Sequence, residues 1–223
     1  MKRIPVDLAD VSLADSTNAK SSYFGYDFQL PWSDVDEQNS KANAKVAILP
    51  FRSGLYVVIK DIAPKSLINS LLADGKLDPS EFSQLYGEKS LDSDYAFTRI
   101  MLDATPSQLN LRTPHKDGVR ASMLLMMKAI AVPVDSGIFN VHSGDFKGFQ
   151  YGDPTEHPNR IVVDLFSDNK SLELTFSRKD KAALSVSQPE INRIVMTLQQ
   201  SSAGSQAPSV RSNSKAQRTQ PGT

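Results

Sequence analysis

The sequence predicts an α+β fold: a mostly antiparallel sheet packed against a helical middle region and closed by a C-terminal helix. Three observations carry that expectation. Residues 160–177, RIVVDLFSDNKSLELTFS, hold two apolar, alternating runs about a polar turn. Between Pro64 and Val132 the punctuation changes to that of helices. The segment SQPEINRIVMTLQQ, beginning at Ser187, then opens with a helix-capping box. The sheet is expected from residues 23–60 and 137–177. A flexible N-terminal segment at 1–22 and a disordered tail at 201–223 flank a single domain at 23–200; the tail lacks the apolar residues needed to offset the entropy of ordering.

In chain order, Tyr23 to Leu30 (YFGYDFQL) alternates aromatic with small or polar residues and stops at Pro31, which reads as one strand with Trp32 plugging its end. Lys45 to Leu49 and Leu55 to Lys60 form two further strands through an Arg-Ser-Gly turn, the second rich in the β-branched and aromatic residues that suit a pleated surface. Pro64 opens a helix through Leu67, Ile68, Leu71 and Leu72. Asp78-Pro79-Ser80-Glu81 places a capping carboxylate, a first-position proline and an acid where a helix start wants them, and Thr105-Pro106-Ser107-Gln108 repeats that grammar. A helix from near Asp92 carries Tyr95, Phe97, Ile100 and Leu102, and Thr113-Pro114 begins another. Arg120 to Val132, with Lys128 as its only interior charge, is expected to be the most buried helix.

After Pro133 the strands resume at Gly137–Val141 and Phe146–Tyr151, about a Ser143-Gly144-Asp145 turn. In the first run of the 160–177 hairpin Ile161, Val163 and Leu165 share one face, while Val162 and Phe166 make the other apolar save for Asp164, so this strand belongs inside the sheet. Asp164 then needs a polar partner or solvent. In the closing helix Ser187 and Glu190 cap the N-terminus, and Ile191, Ile194, Val195 and Leu198 form the buried stripe.

Composition narrows the functions. Lys and Arg number 25 and so do Asp and Glu, giving no net pull toward nucleic acid or anionic membranes, and no nucleic-acid partner is expected. There is no cysteine, which excludes disulfides, thiolate-held zinc, iron–sulfur clusters and thiol catalysis. No window approaches the roughly eighteen consecutive apolar residues of a membrane span, so a soluble chain is expected. Pro5, Asp7 and Asp10 interrupt any signal-peptide core after Lys2-Arg3, pointing to the cytoplasm. A start codon further upstream would instead leave residues 8–22 as a tether for an exported or anchored protein.

Chemistry is thinner. The three histidines lack the spacing of a metal site. His115 reads as a solvated first-turn residue. His142 and His157 flank the segment GFQYGDP, and with Asp145 and Glu156 they form a dispersed His/carboxylate set capable in principle of acid–base work. Asp34, Asp36 and Glu37 gather three carboxylates that could meet a hard cation, without the glycine or spacing of an EF-hand. Met123, Met126 and Met127 with Leu124 and Ile130 read either as core or as the wall of an apolar-ligand cavity. Phe139, Phe146, Phe149 and Tyr151 with Lys147 read either as sheet core or as a binding patch. Nucleophile elbows and phosphate-cradling loops are absent, and no cofactor is expected.

The segments YFGYDFQLPW, FRSG, GFQYGDP and SQPEINRIV resemble an uncharacterised group of bacterial proteins over most of Tyr23–Leu198, a likeness that carries no function. The order of elements, an early strand ending in Leu30-Pro31-Trp32, a helical middle, a hairpin and a closing helix, is similar to PsbP-like αβα sandwiches. That resemblance implies an accessory or assembly factor, although the helical insertion between Pro64 and Val132 departs from a minimal version. The expectation is a non-enzymatic binding or accessory module whose partner is a protein or a small ligand. The alternatives are an enzyme with the dispersed site and a carrier of apolar ligands.

Overall fold

The computed structural model describes residues 3–15, 19–74, 78–109, 115–133, 136–201 and 209–211. Its elements in chain order are β1 (Val6–Asp7), β2 (Ala19–Tyr23), β3 (Tyr26–Leu30), β4 (Lys41–Ala42), β5 (Val46–Pro50), β6 (Leu55–Ile62), α1 (Ser66–Ala73), α2 (Pro79–Tyr86), α3 (Asp94–Asp103), α4 (His115–Ala131), β7 (Ile138–Ser143), β8 (Phe146–Tyr151), β9 (Arg160–Phe166), β10 (Ser171–Arg178), α5 (Gln188–Met196), β11 (Gln199–Gln200) and β12 (Ser209–Arg211). The fold is α+β. The larger sheet runs β1-β7-β8-β9-β10-β6-β5-β4, antiparallel except where β1 lies parallel to β7. A smaller sheet runs β11-β3-β2-β12.

The second sheet corrects the expectation that residues 23–30 form one strand of a single sheet. Phe24 and Gly25 both take positive φ, 55° and 82°, and Tyr23 pairs directly with Tyr26 across them. Two consecutive left-handed residues make a hairpin turn whose twist matches that of the flanking strands. The alternation in YFGYDFQL continues through this reversal, which is why it reads as a single run.

The 160–177 hairpin forms as expected. Asp164 pairs with Glu173 and Phe166 with Ser171, and Ser167 donates its amide hydrogen to the Lys170 carbonyl at 2.8 Å to close the turn. With β8 on one side and β10 on the other, β9 is interior. Period-two alternation divides it between two cores. Ile161, Val163 and Leu165, with Leu172, Leu174 and Phe176 of β10, pack against Phe28 and Leu30 of the smaller sheet and Ile191, Ile194 and Val195 of α5. Val162, with Phe149 and Tyr151 of β8, packs instead against Ile68, Phe82, Phe97, Met101, Leu102 and Leu124 of the helical region. The larger sheet is thus a middle layer.

Helix punctuation works largely as read. The Asp78 carboxylate accepts the Glu81 amide at 3.0 Å, Ser93 caps α3, which starts near Asp92 as expected, through the Ala96 amide at 3.2 Å, and Ser187 and Glu190 close their capping box. Residues 106–108 form one 3₁₀ turn instead of an α-helix, although Thr105 and Gln108 make the box. The Thr113-Pro114 start lies outside the described residues. The larger correction concerns α4: Val119, Met126 and Ile130 are 56%, 61% and 80% exposed. Among its described side chains it fully buries the stripe Ala121, Leu124 and Lys128, with Met123, Leu125 and Met127 half-buried against the core, and the apolar residues around the remainder of the helix gave the false impression of full burial.

Residues 3–15 lie along the domain. The Asn192 side chain donates to the carbonyls of Asp10 and Ser12 at 2.9 and 2.8 Å, and the Ala14 amide donates to the Pro189 carbonyl at 3.0 Å. The expectation for the tail falls mainly on residues 202–208 and 212–223, outside the described residues. No helix among the described residues is long and apolar enough to cross a membrane.

Candidate functional site

The polar residues singled out from sequence occupy separate places. His142 is exposed on β7 opposite Lys147, and Asp145 is exposed in the β7–β8 turn. Glu156 and His157 follow the far end of β8, roughly 20 Å away at 3.3 Å per strand residue. Glu156 meets Arg3 at 3.7 Å with both side chains half exposed, and His157 holds a left-handed φ of 47° with Nδ1 3.4 Å from the Leu184 carbonyl. The four therefore form two remote pairs. His115 opens α4, and its side chain lies outside the described residues.

Among the acids of the 34–37 loop, Asp34 accepts the Ser53 amide at 2.9 Å and Asp36 accepts the Asn39 side-chain amide at 2.7 Å, both shaping turns. Asp36 and Glu37 line a surface pocket of about 530 Å³ with Asn39 and Arg52. Among the described residues no group of three or more histidine or acidic side chains is placed to hold a metal ion. The aromatic patch is divided by the sheet: Phe146 meets Tyr26 at a ring distance of 5.2 Å in one core, while Phe149 and Tyr151 belong to the other.

A different cluster gathers on the helix-covered face. Strand register sets Phe149, Asp164, Glu173 and Lys60 side by side across β8, β9, β10 and β6. Directly opposite side chains on neighbouring strands stand about 5 Å apart at Cβ, so two carboxyl groups face each other inside one sheet. Glu173 is satisfied: Lys60 donates to it at 2.7 Å and Thr175 at 3.2 Å. Asp164 keeps partial solvent access amid dense protein atoms. Burial foremost, then the Glu173 charge, raises its carboxyl from 3.8 to about 7, with Tyr151, Lys60 and Arg160 opposing.

Tyr151 is 1% exposed. Its hydroxyl approaches Asp164 closely enough that each alters the other's ionisation, yet it closes no hydrogen bond of acceptable geometry with any described residue. Burial, then the Asp164 charge, pushes the phenol well above its ordinary range, so it remains a neutral donor and acceptor. A buried hydroxyl without a partner is uncommon because it forfeits hydration. Aromatic rings wall the cluster. Tyr95 of α3 stacks on Phe149 at 5.2 Å and 6°, and Phe166 lies edge-on to both at 6.4 and 6.5 Å. Asp94, beside Tyr95, accepts from the Lys65 amide at 2.6 Å and the Ser171 hydroxyl at 3.2 Å, fixing the start of α3 over β10. The arrangement can accept hydrogen bonds, donate one from tyrosine, and exchange a proton near neutrality.

Sequence reasoning found Asp164 and missed its companions. Glu173 and Thr175 lie in the alternating second run of the 160–177 hairpin without being singled out, Tyr151 read as part of an aromatic patch and Lys60 as a strand end. No protein-family model, no curated protein and no solved structure matches the chain.

Proposed function

We propose that the protein is a non-enzymatic binding module that takes a small ligand at the Asp164 cluster, on the helix-covered face of the larger sheet. The observation that carries this reading is the Tyr151 hydroxyl, 1% exposed, whose approach to the Asp164 carboxyl falls short of a well-formed hydrogen bond. A ligand supplying a full partner would recover hydrogen bonding that the folded chain forfeits alone. The surrounding rings offer apolar contact, and a few convergent polar groups within an aromatic wall are the usual make-up of a small-molecule site. The scattering of His142, Asp145, Glu156 and His157 favours binding over the dispersed-site enzyme.

A second reading has one specific observation behind it. A carboxyl that titrates at about 7 beside a tyrosine is suited to general acid–base catalysis. One experiment separates the two. A small-metabolite library is screened by thermal shift against the full chain and Asp164→Asn, and every stabilising compound is then assayed for conversion. The binding reading expects compounds that raise the wild-type melting temperature by mass action, lose that effect in the variant and are recovered unchanged. Conversion that disappears in the variant would replace it with the catalytic reading, and compounds stabilising both chains equally would move the site elsewhere.

A further inference from the structure

The cluster's chemistry narrows the class of ligand, on the premise that the binding reading holds. We propose that Asp164, Glu173 and the Tyr151 hydroxyl, walled by Phe149, Tyr95 and Phe166, form a site for a small organic ammonium ion. A primary ammonium has three N–H donors around a compact charge. The cluster presents three kinds of acceptor oxygen: the Asp164 carboxylate, the Glu173 carboxylate and the phenol oxygen of Tyr151. The chain itself shows that one of them accepts an ammonium, since the Lys60 Nζ already donates to Glu173 at 2.7 Å with its side chain 42% exposed. Ring faces stabilise cations through their quadrupoles, most strongly where water is excluded, and the strand register puts Phe149, stacked on Tyr95, directly beside Asp164. This wall distinguishes an organic cation from a metal ion, which would prefer more oxygen donors than two carboxylates and a hydroxyl supply. Anions are disfavoured by the paired acids.

Binding should release a proton. The groups facing Asp164 are Tyr151 on β8, Glu173 on β10, Lys60 on β6, Arg160 on its own strand and Tyr95 on α3. Glu173 can accept a further hydrogen bond, but its charge is already balanced by Lys60, so it does not neutralise a new cation. Asp164 must therefore ionise as the ammonium enters, and near pH 6 the complex should release close to one proton per ligand.

The probes are n-butylammonium and tetramethylammonium, with calcium chloride and sodium butyrate as comparison ligands, titrated into the full chain by NMR and calorimetry at about pH 6. The expected result is saturable binding of n-butylammonium, weakened at least about tenfold in both Asp164→Asn and Tyr151→Phe. Calorimetry in two buffers of different ionisation heat should show proton release in wild type and none in Asp164→Asn. Matching amide spectra of each variant and wild type away from the cluster establish that the fold is kept; should Tyr151→Phe not fold, Glu173→Gln replaces it. Absence of saturable binding by either ammonium probe, equal binding by wild type and Asp164→Asn, or displacement of n-butylammonium by calcium at equal concentration would each overturn the proposal. Butyrate binding that depends on Asp164 would overturn the ammonium assignment while leaving the binding module intact, and conversion of a probe would overturn the module itself.

Discussion

Replacing Asp164 with asparagine keeps the shape of the side chain and removes its titration, which makes the pH dependence of stability a direct test of the cluster. The folded carboxyl titrates at about 7 against an ordinary 3.8. Between those values the folded chain holds a proton that the unfolded chain has lost, so stability must fall as pH rises, by up to about 1.4 kcal/mol for each pH unit. Below about pH 4 both states are protonated and no penalty exists; above about pH 7 both are ionised and the penalty is complete. Integrated over that window the loss is on the order of 4 kcal/mol, and the partial exposure of Asp164 reduces the working expectation to roughly 2–4 kcal/mol. Other groups titrate in the same range but are common to both chains, so the difference between them isolates Asp164. Urea unfolding of wild type and Asp164→Asn from about pH 4.5 to about 8.5 should show the variant gaining that amount relative to wild type, mostly between pH 5 and 7, then levelling off. A difference independent of pH would mean that the carboxyl ionises normally in the folded chain, and the account of the cluster would fail.

Other consequences follow from single side chains. The Lys128 ammonium, 1% exposed, donates to the carbonyls of Leu102 and Ala104 at 2.5 and 2.9 Å and so caps the end of α3; Lys128→Met should cost about 2–3 kcal/mol in urea unfolding, and a change within about 0.5 kcal/mol would deny the cap its importance. A β-carbon at Gly148 would press on the Asp164 backbone carbonyl, so Gly148→Ala should destabilise by roughly 1–3 kcal/mol and shift the amide resonances of β9 before those of α5. On α4, Leu124→Ala should cost about 2–5 kcal/mol because Leu124 is 1% exposed, whereas Ile130→Ala, at 80% exposure, should stay within about 0.5 kcal/mol; equal effects would contradict the orientation of the helix.

What was legible in the sequence is what depends on short-range physics. The capping box at Ser187, the Asp78 cap and the 160–177 hairpin are decided by residues within a few positions of one another, and all three form. Phe24-Gly25 was misread because a phenylalanine at positive φ hides the turn that glycine alone only suggests. On α4, sequence records that residues are apolar but not which way the helix is rotated; that is set by where Leu124 and Lys128 meet α3 and the sheet. Half of the acid pair was within reach, since a turn that pairs Phe166 with Ser171 necessarily sets Asp164 opposite Glu173. Lys60 was not, because β6 joins β10 across more than a hundred residues of intervening chain, and Tyr151 was not, because the register of β8 on β9 is set by the longer 152–159 connection rather than by a tight turn.

The Asp164 cluster is expensive as mere scaffolding. Like charges directly opposite one another on adjacent strands destabilise a sheet, and a half-buried carboxyl with a poorly satisfied hydroxyl beside it adds the cost of lost hydration. Apolar residues of similar volume would commonly be neutral or stabilising at such a place, as with other buried polar sets. Yet the immediate surroundings, Val162, Phe149 and the Tyr95 stack, are well-packed core. Poor packing therefore does not explain the polarity. A site that folds at a cost and recovers it when a ligand supplies the missing hydrogen bonds and charge has its stability tied to occupancy, so a true ligand should stabilise the protein most at high pH, where the unpaired Asp164 charge is most costly. A ligand whose stabilisation was the same at about pH 5 and about pH 8 would have to bind without meeting that carboxylate.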